Sequence, residues 1–386
     1  MIYLDANATT PMLPEVVDAM LPWLRENYAN PSSSYRTAKL ARNAIDDARA
    51  KVAELIDAAP EEIVFTGSGT ESVNTALFSL DSLTEDGNAV VSAIEHSAVL
   101  KFFEGGKRRV TVAAVDSNGQ LDTTKFPSAL GNGSFVSVMM ANNETGVVQP
   151  ISRLLELSKS NSLPFHTDAI QAIGKISVSV KDVPVDLLSM SGHKFHGPKG
   201  IGALYVRKGL EFTPMLRGGG QQNGRRSGTE NTAAIVAMGR AAEMAKEHLK
   251  GGLETELSAI RDAFEEKVMR GISGCLRNGA PESRLPNTCH LSFDGCDSAG
   301  LLILLDEMDV ACSAGSACMT GKSRPSHVQL AMGISESRAK TSLRFSFSKM
   351  NDMDQGLEAA SRVIKAVQKL RSVQSAGTGP VAIYSS

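Results

Sequence analysis

No apolar run in the 386-residue sequence approaches the roughly 18 residues of a helical membrane span. The opening residues, MIYLDANATTP, hold neither a basic stretch nor an apolar core, so they are not read as a secretory signal. Charge of one sign is also missing: 40 Lys and Arg face 42 Asp and Glu, a formal net charge of −2. This argues against nucleic acid or an anionic membrane as the main partner and leaves room only for a local basic patch. Cysteine is scarce. The five, at positions 275, 289, 296, 312 and 318, are odd in number, fall in the last third and form no C-x-x-C pair. A disulfide framework or zinc ribbon is therefore disfavoured, and a reducing, cytoplasmic compartment is expected. No internal repeat is visible. What remains is an ordinary globular composition, 42% hydrophobic and 21% charged. A chain of this length buries roughly 75% of its unfolded surface and accommodates two domains.

Between about residues 14 and 235, apolar runs bounded by glycine alternate with segments of helical period. PEVVDAMLPWLREN and AKLARNAIDDARAKVAELI read as amphipathic helices. EIVFT, NAVVSAIE, FVSVMMAN, LPFHTDA, VDLLSM and IGALYV read as short, mostly buried strands. Strands separated by helices predict an α/β fold with a largely parallel sheet covered on both faces. A long helical stretch from Asn231 to Met269 is broken at Gly251–Gly252, where the domain transition is expected. The large domain is accordingly assigned to residues 14–252. A smaller α+β domain takes residues 1–13 with 253–375, built on NTCHLSF, AGLLILLDEM, SHVQLAMG, TSLRFSFS and LEAASRVIKAVQKLRS. Residues 376–386 are expected to form a flexible tail.

Two nucleotide signatures are absent. VFTGSGTES has the strand, Gly-rich turn and helix of an anion site, but the third glycine of a dinucleotide fingerprint falls at Ser72. The same residues also fit a plain capping box, Ser68-x-x-Glu71. In GHKFHGPK the spacing Gly192-x4-Gly197 is that of a P-loop, but proline replaces its lysine and Lys199 its hydroxyl residue. A nucleotide-driven switch is disfavoured on these grounds.

In an open α/β sheet, ligands bind beyond the carboxyl ends of the strands. The polar residues ending these runs are Thr66–Thr70, His96, Asn142–Asn143, Asp168 and Ser191–Lys194. Lys194, in VDLLSMSGHKFHGPKGIGALYV, follows a buried strand where desolvation would lower its pKa and make the amine nucleophilic toward carbonyls. Asp168 is either a helix N-cap or a carboxylate set against a cationic ring nitrogen. His96 is either a half-buried structural side chain or a ligand-facing one. An aldehyde cofactor carrying a phosphate and a pyridine nitrogen would use Lys194, Asp168 and the Gly67–Thr70 loop together, and pyridoxal phosphate is that cofactor. Cys318 lies in the Ser/Gly/Ala-rich SAGSACMTGKS, where an exposed thiol would be reactive, whereas Cys312 reads as a structural strand end. A reactive cysteine beside such a lysine suggests sulfur chemistry on an amino acid. Arg344 could grip a substrate carboxylate or be a partly exposed strand residue. RGGGQQNGRRSGTENTAAI is a flexible surface loop or an arm reaching a neighbouring subunit's phosphate through Thr229.

Taken in order, YLDANATTP, NPSS, FTGSGTES, EHSAVL, ANNETGVVQPI, FHTDAIQAIGK, SGHKFHGPKGIGALY, RRSGTENT, SAGSAC and SLRFSFS resemble the NifS/IscS-type cysteine desulfurases. These are class-V, fold-type I pyridoxal-phosphate enzymes, and the likeness runs from residue 3 to about 372. It implies a seven-stranded, mainly parallel sheet and a homodimer that converts L-cysteine to L-alanine. Sulfur left as a persulfide on Cys318 would pass to an acceptor such as an iron–sulfur scaffold. The resemblance assigns the Schiff-base lysine to Lys194 and an acid–base group stacked on the ring to His96. It pairs Asp168 with the ring nitrogen and Gln171 with the ring hydroxyl. Gly69, Thr70, Ser191 and His193 would bind the phosphate, with Thr229 coming from the partner subunit. Asn143 and Arg344 would hold the substrate carboxylate. Selenocysteine lyases and other β-eliminating enzymes or aminotransferases on the same scaffold are the rival readings. Ala314 and Met319 depart from the family's more polar loop.

Overall fold

The computed structural model describes residues 1–84, 86–314 and 325–375. Its strands are β1 (Ile2–Tyr3), β2 (Ile63–Thr66), β3 (Asn88–Ser92), β4 (Val110–Ala113), β5 (Gly133–Ser137) and β6 (Phe165–Asp168). They continue with β7 (Leu187–Ser191), β8 (Gly202–Val206), β9 (Cys275–Arg277), β10 (Thr288–Phe293), β11 (Val310–Ala311) and β12 (Ser342–Ser346). Seven of them form one sheet in the order β2–β8–β7–β6–β5–β3–β4. β8 runs antiparallel to both of its neighbours, and the other pairs are parallel. The expected α/β architecture with a mainly parallel sheet is present.

Strand composition follows burial rather than place in the sheet, since β2 and β4 are both edge strands. β2, β7 and β8 are buried at every residue, which is why they read as unbroken apolar runs rather than alternating ones. β4, at the edge, leaves Val110 and Val112 exposed and carries no such run, so it is absent from the six strands legible in the sequence. In FVSVMMAN the regular strand ends at Ser137; beyond it Val138 and Met140 N–H still reach the carbonyls of His166 and Asp168 at 3.1 and 2.8 Å, while Met139 N–H is taken by the Glu95 carboxylate at 2.8 Å.

The helices carry the predicted period. In Arg36–Leu55 the buried residues Ala38, Ala41, Ile45, Ala48 and Val52 recur at three- and four-residue steps on one face. That face packs on Thr232–Lys250. The break at Gly251–Gly252 is real: one helix ends at Lys250, Gly252 takes φ +93°, and the next begins at Leu253.

A separate hydrophobic cluster joins Ile2 and Leu4 with Leu257, Phe264, Leu291, Phe345 and Val363. β1 pairs with β11, and β9, β10 and β12 form an antiparallel sheet covered by Leu253–Gly271 and Met353–Ser375. Phe264 stacks its ring 4.9 Å from Phe345 and 5.5 Å from Phe347. Among the described residues, no helix is long and apolar enough to cross a membrane.

Candidate active site

β2, β3, β5, β6 and β7 point the same way, so their carboxyl ends share one edge of the sheet. A cavity of about 550 Å³ opens there, within the size range of small-molecule sites. Ten of the twelve residues singled out in the sequence line it: Gly69, Thr70, His96, Asn143, Asp168, Gln171, Ser191, His193, Lys194 and Arg344.

One wall is the N-terminus of helix Gly69–Leu83. Ser68 caps it by accepting from Glu71 N–H at 3.0 Å, while the Glu71 carboxylate accepts from Gly67 N–H at 2.8 Å and pairs with Arg226 at 2.8 Å. The capping and anion readings therefore coexist. The first-turn N–H groups of Gly69 and Thr70 have no partner inside the helix and lie at the cavity. A Cβ on Gly69 would sit 2.9 Å from Ser191 Cβ and 2.6 Å from Ile170 Cδ1, so glycine is what lets the helix end approach β7.

Asp168 ends β6. Its Oδ1 accepts from Ile170 N–H at 2.9 Å, a turn cap rather than a helix cap, because successive turns and no regular helix follow. Burial raises its pKa to about 6, against the lowering pull of the Ile170 N–H and of Lys194. Lys194 closes the short turn after β7 and donates to the carbonyls of Asn7 and Ala8, both at 2.7 Å. Burial, then the Arg344 cation, lower its pKa to about 8. The desolvation expected of this lysine is present. His193 bonds Thr9 at 3.1 Å, and burial with nearby lysines lowers it to about 4. His96 caps a short helix, its Nδ1 accepting from Ala98 N–H at 3.1 Å, which leaves the proton of the neutral ring on Nε2. Burial and the neighbouring Lys194 and His327 lower its pKa.

Arg344 is buried, not partly exposed, and spends much of its fork on the protein. It bonds Asp5 at 2.6 Å and the Asn143 carbonyl at 2.8 Å, and among the described residues its buried Nε has no partner. Thr229 does not line the cavity; it is exposed and borders a separate cleft of about 200 Å³ with Gly67, Gly200 and Arg226. Cys318 lies outside the described residues, as does Met319.

Several residues at or beside the cavity escaped the sequence reading. Asn7 and Ala8 receive Lys194, Asp5 holds Arg344, and Lys175 bonds Asn7 and Gln171. Glu95, buried beneath His96, is pushed up to about 8 chiefly by burial, and its carbonyl accepts from His327 at 2.9 Å. The available signal was a run of polar residues, Asp5, Asn7 and Thr9–Thr10, beside buried Leu4 and Ala6.

The strand-end cavity thus brings together a lysine of lowered pKa, a buried carboxylate and a helix N-terminus. The chain belongs to the aminotransferase class-V family, whose model matches residues 2–356. It is 41% identical to the cysteine desulfurase IscS of Methanosarcina thermophila over 381 residues, covering 96% of this chain and 93% of the relative. Among solved structures, a NifS-like protein superposes with a TM-score of 0.88 at 33% identity, covering 96% of this chain and all of the other. SspA in complex with cysteine follows with a TM-score of 0.79 at 36% identity, covering 90% and 99%.

Proposed function

We propose that this chain is a pyridoxal-phosphate-dependent cysteine desulfurase that converts L-cysteine to L-alanine and keeps the sulfur on a cysteine of its own. The observation that carries the proposal is the convergence of Lys194, Asp168 and the Gly69–Thr70 helix end on one cavity. The residues fit the cofactor. Lys194, its pKa lowered to about 8, would hold the aldehyde carbon. Asp168, a buried carboxylate whose second oxygen makes no hydrogen bond among the described residues, would hold the ring nitrogen. Gly69, Thr70, Ser191 and His193 would hold the phosphate, and Gln171 the ring hydroxyl. Bound there, the cofactor supplies an electron sink for the bond changes at the amino acid.

The chain's own groups do the rest. Lys194 and His96 would hold and move protons at the substrate, both with pKa values lowered chiefly by burial. Arg344 and Asn143 receive its carboxylate side. Cysteine's Cβ–S bond breaks and a C–H bond forms at Cβ, while sulfur joins the Cys318 thiol as a persulfide. Carbon is reduced and enzyme sulfur oxidised, so no outside oxidant is required. The sulfur would then pass to an acceptor protein. Exposed Thr229, outside its own chain's cavity, is assigned to the partner's cofactor phosphate in a homodimer. The division into residues 14–252 and 1–13 with 253–375 is our reading of the break at Gly251–Gly252 and of the cluster that joins Ile2 and Leu4 with Leu257, Phe264, Leu291, Phe345 and Val363.

The purified protein given pyridoxal phosphate should show a visible absorption band that changes when L-cysteine is added, with alanine formed. Borohydride should fix the cofactor's mass on Lys194, and Lys194→Ala should abolish both band and label. A band retained in that variant, or turnover of selenocysteine without cysteine, would overturn the assignment.

A further inference from the structure

Lys175 has no task in the chemistry described so far, yet its side chain is buried at the floor of the site. Its Nζ donates to Oδ1 of Asn7 at 2.9 Å and to Oε1 of Gln171 at 2.5 Å. Both acceptors are uncharged amide oxygens, and among the described residues Lys175 forms no ion pair. Burying an amine without a carboxylate is costly. Burial, with Lys194 and Arg344 nearby, pushes its pKa well below the usual lysine range.

What the arrangement secures is direction. The two ends of a glutamine amide are nearly the same size, and only the hydrogen-bond pattern decides which way it lies. Lys175 donates to two oxygens whether charged or neutral, so Gln171 must turn Oε1 toward it. Nε2 then lies on the other side and donates to the Asn7 carbonyl at 2.9 Å. Nε2 carries a second hydrogen, and Gln171 lines the cavity. Asn7 is oriented in the same way. Its Oδ1 accepts from Lys175 and from Asn287 at 3.1 Å, its Nδ2 turns to Thr288 at 2.9 Å, and its carbonyl is left to receive Lys194.

We propose that Lys175 is a positioning residue that holds Gln171 as a hydrogen-bond donor toward the cavity, so that the ligand atom meeting it is an acceptor oxygen. Resting on the function proposed above, that atom is the ring hydroxyl of pyridoxal phosphate in its deprotonated form. Without Lys175 only the Nε2 bond to the Asn7 carbonyl holds the amide, and the orientation that presents Oε1 and favours the protonated hydroxyl becomes less costly.

The test is the pH-dependent absorption spectrum of the reconstituted holoenzyme, which distinguishes the longer-wavelength form with a deprotonated ring oxygen from the shorter-wavelength form. Lys175→Met, close in shape and without a donor, should move the midpoint by about one pH unit toward the protonated form. Gln171→Leu should move it similarly, and the double variant should move no further, since the two act through one bond. The charged groups facing Lys175 are Lys194 and Arg344. His193 and His196 lie within its field, and Asp168 and Asp5 face Lys194. Lys175 itself lowers His193 and His196, so Lys175→Met also moves those two, whereas Gln171→Leu leaves Lys175 in place; a like shift in both variants therefore reports the shared bond. An unmoved midpoint in Lys175→Met, or shifts that simply add, would overturn the proposal. A wild type that takes up no chromophore would instead remove the cofactor reading beneath it. Should the Met variant not fold, neutron diffraction of the wild-type holoenzyme decides: deuterium on Gln171 toward the ring oxygen supports the proposal, and Oε1 in that place refutes it.

Discussion

Asp168 and Lys194 ionise in senses that oppose folding of the cofactor-free chain. Asp168 is raised to about 6 from an ordinary 3.8, so between those values the folded state binds more protons than the unfolded one. Stability falls as pH rises through that window, and above it the deficit is complete. Lys194 is lowered to about 8 from 10.5. Here the unfolded state binds more protons between the two values, stability rises with pH across them, and below about 8 the deficit is complete. Near pH 7 both groups are charged, at a cost that a bound cation and aldehyde would offset. Asp168→Asn keeps an oxygen for Ile170 N–H and removes the charge. It is expected to stabilise the cofactor-free protein at pH 7 by on the order of 1–3 kcal/mol, and to change little below pH 4. In the holoenzyme the same change should lower cofactor affinity and most of the activity. Denaturant unfolding at the two pH values checks it, and a destabilised variant at pH 7 would contradict the sign. Chemistry-bearing residues at strand ends were legible because a polar residue closing an apolar run is a local signal. Asp5, Asn7 and Lys175 were not, because their meaning lies in contacts across the chain: Asn7 meets Thr288 from 281 positions away.

The elements that shape the phosphate side of the cavity meet backbone to backbone. β8 begins at Gly202, where an added Cβ would sit 2.6 Å from both the carbonyl carbon and oxygen of Ser68, and 2.9 Å from Gly69 N. β8 is hydrogen-bonded on both sides, Gly202 to Thr66 of β2 and to Ser191 of β7, so it has no room to retreat. Gly202→Ala should therefore displace the Ser68–Gly69 turn rather than the strand. We expect a stability loss of about 1–3 kcal/mol and at least about a tenfold weaker affinity for pyridoxal phosphate, equivalent to about 1.4 kcal/mol. Absorbance titration with the cofactor beside thermal unfolding separates the two, and unchanged affinity would mean that the turn is not the phosphate cradle. The sequence reading found the buried strands because interior position forces an apolar run. It missed β4 because that edge strand exposes Val110 and Val112, whereas the other edge strand, β2, is buried throughout, and it ran past Ser137 because Val138–Ala141 are equally buried.

At the scale of the molecule, the cavity draws on residues grouped around both clusters: Lys194 and Asp168 come from the seven-stranded sheet, Arg344 and Ser313 from beside the second cluster. The described cysteines bear on the proposed choice of thiol. Cys275, Cys289 and Cys296 are buried, and burial raises each of them. Cys312 follows β11, packs against the second cluster, and is pushed up to about 12 by burial and by Asp5. A thiol with that value is a thiolate in only about one molecule in 10⁵ at pH 7, too few to accept sulfur readily. None of the four described cysteines is thus suited to the task. Cys318, the fifth cysteine, lies outside the described residues. Cys318→Ser should accordingly bind pyridoxal phosphate and still change its spectrum with L-cysteine, yet carry no persulfide and release almost no sulfide. Cys312→Ser should turn over within about twofold of wild type and lose at most about 1 kcal/mol of stability. Mass spectrometry of both variants after a brief exposure to labelled cysteine reads the outcome directly. Label on Cys312, together with full activity in Cys318→Ser, would mean that a half-buried, protonated thiol outcompetes Cys318, and the assignment would have to be reversed.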